Sequence, residues 1–140
     1  METNKAKRQA QVQLKTIREM VKALRDAFNY NTQKENNEDN ENKEKILISL
    51  EEAEDAIRIF PLEVSVRTGW HHPNNDGESE EYRIILRTSG PEVQLIGYLY
   101  RNCPKNVRLE YRDMSSPWEE YLLDKDEEED CFYYVKQFYF

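Results

Sequence analysis

Apolar residues recur along this chain with two different periods. Ala10, Leu14, Ile17, Val21, Leu24 and Phe28 lie 4, 3, 4, 3 and 4 positions apart, with Lys15, Arg18, Lys22 and Arg25 off that line. This is the stripe of an amphipathic helix. Ile46, Leu50, Ala53, Ile57 and Phe60 repeat it, and Pro61, which lacks a backbone donor, ends it. Two successive stripes predict an antiparallel helical hairpin over residues 1–60. Between them, NTQKENNEDNENK at 31–43 has five Asn and no apolar side chain. It is longer than the ~2–8 residues usual between packed helices, which predicts an exposed, mobile loop.

From Leu62 the period changes to two. Leu62, Val64, Val66, Thr68 and Trp70 share one face of a strand, with Glu63, Ser65 and Arg67 on the other. Tyr82, Ile84, Leu86 and Thr88 form a second inward face, Val93, Leu95, Gly97 and Leu99 a third, and Val107, Leu109 and Tyr111 a fourth. Turn-forming residues separate these runs: His71 to Glu80, Ser89-Gly90-Pro91-Glu92 and Asn102 to Asn106. Short connections predict a four-stranded antiparallel meander with one face against the helices. Ser116-Pro117-Trp118-Glu119 then reads as a capping box opening a short helix through Leu123. The acids after Asp124 suit another helix start, and Phe132, Val135, Phe138 and Tyr139 continue at helical spacing. The expected class is α+β: an N-terminal helical hairpin, a sheet and one or two C-terminal helices, with 1–60 and 61–140 forming one compact domain.

Composition narrows the function classes. Of the 140 residues, 38% are hydrophobic and 34% charged, polar for a globular chain. No apolar run approaches the ~20 residues that span a bilayer. The start, METNKAKRQAQ, lacks the apolar core of a secretory signal. Cys103 and Cys131 fit neither a disulfide scaffold nor a zinc spacing. A cytoplasmic protein with free thiols is expected. The net charge of −8 is uneven. Residues 1–30 hold seven Lys/Arg against three Asp/Glu, whereas residues 61–140 hold nine against sixteen. That disfavours general nucleic-acid binding by the body of the chain and permits a basic partner.

Catalytic groups are scarce. His71 and His72 are the only imidazoles, adjacent in a turn where neighbouring side chains diverge, so a metal site with Asp76 is a weaker expectation than an exposed loop. No phosphate-cradling glycine loop and no H-E-x-x-H or G-x-S-x-G motif occurs. The expectation is a protein without catalysis, cofactor or metal that works by contact. Two surfaces qualify. Glu119, Glu120, Asp124, Asp126, Glu127, Glu128, Glu129 and Asp130 form a dense acidic stretch that a groove built for nucleic acid could accept; the competing reading is a solvated helix start. Arg67, Arg83, Arg87, Arg108 and Arg112, with Tyr98 and Tyr100, line the outer sheet face and could hold single-stranded nucleic acid. The competing reading there is cross-strand pairing with residues such as Glu63 and Glu110. Dimerisation through Leu14, Ile17, Val21 and Leu24 is a third possibility. Trp70 and Trp118 read as core or hinge anchors.

Four stretches carry a family resemblance: PLEVSVRTGW (Pro61–Trp70), EYRIILRTSGPEVQLIGYL (Glu81–Leu99), VRLEYRDMSSPWEEY (Val107–Tyr121) and QFYF (Gln137–Phe140). Together they resemble a family of small phage and prophage proteins, over about a third of the chain. The family's TGGP stands here as Thr88-Ser89-Gly90-Pro91, and its QDWGTPW as Arg112 to Trp118. No catalytic role attaches to these motifs. Small acidic phage proteins of this profile include inhibitors of CRISPR nucleases, so the resemblance implies an anti-CRISPR protein acting in a bacterial cytoplasm. Its expected partner is the basic nucleic-acid channel of a Cas9-type effector. A phage accessory protein that binds nucleic acid through the basic N-terminal helix and the arginine-bearing sheet face is the alternative.

Overall fold

Among the described residues, three helices pack together with an antiparallel sheet. The computed structural model describes residues 5–34, 40–74 and 77–140, with side chains described outside 30–49. Helices α1 (Lys5–Lys34) and α2 (Asn40–Ile59) precede strands β1 (Glu63–Thr68), β2 (Ser79–Arg87), β3 (Glu92–Tyr100), β4 (Cys103–Pro104), β5 (Arg108–Arg112) and β6 (Glu119–Tyr121). Helix α3 (Lys125–Val135) closes the chain. The class is α+β, but the sheet has more than the four strands expected. Its order is β1-β2-β3-β5-β6, with the two-residue β4 folded back on β3.

The α1 stripe explains why the molecule holds together. Ala10, Leu14, Ile17, Val21 and Leu24 are all buried in one cluster with Tyr82, Ile84, Leu86, Val93, Leu95, Leu99, Val107 and Leu109 from the sheet. Each aliphatic side chain so removed from water contributes about 1.5–3 kcal/mol before entropy is counted. This stripe is therefore buried against the sheet of its own chain. Phe28, at the end of the series, stays largely exposed. Helix α2 adds Ile57 to the core, with Leu50, Ala53 and Phe60 partly buried. Residues 31–34 and 40–43 continue the two helices. The loop expected over 31–43 is correspondingly shorter, and its centre, residues 35–39, lies outside the described residues.

Three expectations are corrected. Residues 119–121 form a strand, not a helix: Leu109, Glu110 and Tyr111 pair with Tyr121, Glu120 and Glu119. The free edge of β5 offers backbone partners that a single helical turn could not match. The capping box exists eight residues later. Asp124 Oδ1 accepts from the Glu127 backbone N–H at 2.8 Å, while Glu127 Oε1 accepts from the Asp124 N–H at 3.0 Å. The buried face of α3 is Cys131, Tyr134 and Val135, so Phe132 and Phe138 are only partly buried and Tyr139 is exposed.

Strand β1 also differs. Val64 and Val66 stand opposite the buried Ile84 and Tyr82, on the helix side of the sheet. Yet they are 39% and 45% exposed, and Leu62 is more so. The helices pack over β3 and β5 and do not cover this edge. Trp70 is wholly exposed and anchors nothing. Trp118 is half-buried under the Arg112 guanidinium, which lies 4.3 Å from its ring centroid.

Candidate functional site

The acidic stretch divides into acids that hold the fold together and acids that face outward. Asp124 and Glu127 are the two halves of the α3 capping box. Asp130 is clamped by α1, with Arg18 Nε at 2.8 Å from Oδ2 and Arg25 Nη1 at 3.1 Å from Oδ1. The Arg18 guanidinium is held above its ordinary pKa, first by this hydrogen bond and then by the charges of Asp130, Glu127 and Asp124. Glu119 stands opposite Tyr111 across the β5–β6 pair, and burial together with this carboxylate pushes the phenol pKa up. Four of the eight acids therefore have internal partners.

The remaining four are Glu120, Asp126, Glu128 and Glu129. All are exposed, and none makes an ion pair or hydrogen bond among the described residues. They do not form one patch. Alternation along β6 sends Glu120 to the sheet face opposite Glu119, where it stands across from Glu110, a like charge. Asp126, Glu128 and Glu129 project from the first two turns of α3. The cap below them and the Asp130 clamp beside them fix that helix end in place.

Beside the clamp, α1 and α3 enclose an open cleft of about 630 Å³. Lys15, Arg18, Lys22 and Arg25 line it from α1, and Tyr121, Glu127 and Asp130 line it from the other side. The basic helix thus faces acids of its own chain.

The outer sheet face has a different balance. Arg67 pairs with Glu81 at 2.8 Å, and Arg112 pairs with Glu92. Arg83, Arg87 and Arg108 have no ion pair among the described residues. Glu110, a partner expected for them, instead accepts from Gln94 Nε2 at 2.7 Å. Gln94 is only 3% exposed, and its Oε1, with the Nε atoms of Arg87 and Arg108, is buried without a partner. Tyr98 and Tyr100 stand exposed on the same face, and Arg101 and Lys105 lie over the Tyr100 ring. Sequence spacing put these arginines on one face. It could not show which of them the local carboxylates would neutralise.

His71 and His72 are exposed, and His71 Nδ1 approaches the His72 carbonyl oxygen at 2.9 Å. Asp76, named with them as a possible ligand, lies outside the described residues. Among the described residues, no three His, Cys, Asp or Glu side chains are grouped to hold a metal ion. Cys103 and Cys131 are free, the first exposed and the second buried. No helix among the described residues is long and apolar enough to cross a membrane. Compared with known proteins, the chain matches no family model, no curated protein and no solved structure.

Proposed function

We propose that this protein is a non-enzymatic, phage-encoded counter-defence inhibitor that occupies the basic nucleic-acid channel of a CRISPR effector of the Cas9 type. The observation that carries the reading is the start of α3. There Asp126, Glu128 and Glu129 are exposed and unpaired on a helix end fixed by the Asp124–Glu127 cap and the Asp130 clamp. Fixed carboxylates lose little entropy on docking, and they meet Lys and Arg side chains that otherwise hold phosphates. The resemblance of the four stretches between Pro61 and Phe140 to small phage proteins supports the same class of function.

The test is reversal of the three outward acids only, Asp126→Lys, Glu128→Lys and Glu129→Lys in one variant. Asp124, Glu127 and Asp130 stay, because their loss would weaken the fold itself. Target-DNA cleavage by a Cas9-type effector is measured with wild-type protein and with the variant. Wild-type inhibition that fades with added salt and disappears in the still-folded variant supports the reading. Undiminished inhibition by the variant rejects the acidic face.

A second reading has its own observation. Arg83, Arg87 and Arg108 lack ion pairs beside the exposed Tyr98 and Tyr100, an arrangement suited to phosphates and stacked bases. Fluorescence anisotropy with labelled single-stranded DNA and RNA separates the two. Salt-sensitive binding that Arg83→Glu and Arg108→Glu abolish would favour the nucleic-acid-binding accessory protein.

A further inference from the structure

We infer that β1 is a self-association edge, through which two copies of this chain pair antiparallel about Ser65. The inference is independent of the function proposed above. The two ends of the sheet are built differently. β6 is three residues long and carries Glu119 and Glu120, which would repel the same residues of another copy. Like charges and shortness are ordinary protection for an exposed strand. β1 has six residues, and among the described residues its outer edge has no strand beside it.

Its side chains are complementary to themselves. In a symmetric antiparallel pair centred on Ser65, directly opposite residues share a sheet face. Ser65 meets Ser65 of the second copy, Glu63 meets Arg67, and Val64 meets Val66. Each of the last two pairings occurs twice by symmetry. Opposite charges therefore face each other on the outer side, and valines face each other on the helix side. Arg67 already reaches Glu81 through Nη2, so Glu63 of the second copy would make it a bridge between two carboxylates. Pairing with β2 is regular from Glu63 to Arg67 and shifts only between Arg67 and Thr68, so the stretch needed is the regular one.

The apolar side chains left open by the fold also fall into place. Val64 and Val66 are about two-fifths exposed because no helix covers them, and Leu62 and Trp70 flank the strand in the open. In this register Leu62 lies opposite Thr68 of the second copy, with Trp70 just beyond. The four valines would then close over one another on the helix side. A heterologous partner would gain the backbone pairing but would have to supply this charge and valine order, which the chain itself already has.

The register gives a specific experiment. In a Cys103→Ser background, Ser65→Cys places two thiols across the symmetry axis, within disulfide reach for directly opposed strand residues. Mild oxidation should yield a cross-linked dimer on a non-reducing gel. Glu63→Cys, off the axis, should give little. Sedimentation velocity of the wild-type chain should show a concentration-dependent dimer. Val66→Lys, at an exposed position, should raise its dissociation constant at least tenfold while the melting temperature measured at dilute, monomeric concentration stays unchanged. A monomer at several hundred micromolar overturns the inference. So does a dimer that survives Val66→Lys, or equal cross-linking by Ser65→Cys and Glu63→Cys.

Discussion

Asp130 and Arg18 meet across 112 residues of sequence at 2.8 Å, and Arg25 completes the clamp on the same carboxylate at 3.1 Å. The three side chains join the middle of α1 to the middle of α3. The carboxylate is mostly buried while both arginines are more than two-fifths exposed, so water screens part of the attraction. Asp130→Asn should lower stability by about 1–2 kcal/mol in urea unfolding, above what an exposed pair is worth. A change below about 0.3 kcal/mol would show that the clamp contributes nothing net.

The two capping boxes, one expected and one observed, can be distinguished by single substitutions. Asp124→Ala should cost about 1 kcal/mol, because it leaves the Glu127 N–H without its acceptor. Ser116→Ala should cost almost nothing, since no helix begins there. Equal losses at both sites in thermal or urea unfolding would contradict this assignment.

Gly97 is required by space. A Cβ there would collide with the Asn106 carbonyl oxygen and the Tyr82 ring, while the Tyr82 hydroxyl donates to that same oxygen. Gly97→Ala should therefore destabilise by about 2 kcal/mol, the range for overpacking a close contact. Gly90→Ala tests a different constraint, because it has open space around it and only its φ of +123° resists a side chain. Urea unfolding of the two variants, with native exchange of the Tyr98 amide, separates collision from backbone strain.

Stability should fall at high pH for a specific reason. Burial, with smaller contributions from Asp130 and Glu127, pushes the Cys131 thiol from 9.0 up to about 12. Burial likewise raises the phenols of Tyr82 and Tyr134 above 10.0. The folded state keeps these protons where the unfolded chain gives them up. The Cys131 contribution is complete below pH 9 and is lost as pH climbs from 9 to about 12, and the tyrosine contributions are lost only above pH 10. A melting temperature that holds steady to pH 9 and then drops checks the sign. Thiol reagents at pH 8 should modify Cys103 readily and reach Cys131 only on unfolding.

Local period alone determined much of this protein. The 4-3-4-3 stripe from Ala10 to Leu24 and the alternation in Tyr82–Leu86, Val93–Leu99 and Val107–Leu109 name the faces that the core buries. A residue's side of a helix or strand follows from backbone geometry. What covers that side does not, and there tertiary structure decided. Val64 and Val66 alternate as faithfully as Ile84, yet no helix lies over the sheet edge that carries them. Trp118 to Tyr121 had a helical opening in sequence, but the free edge of β5 supplied hydrogen bonds that only an extended chain could take. The acidic stretch was legible as charge. Its division into cap, clamp and outward face depended on Arg18 and Arg25, more than a hundred residues away, because an ion pair is set by distance in space and sequence spacing carries no record of it.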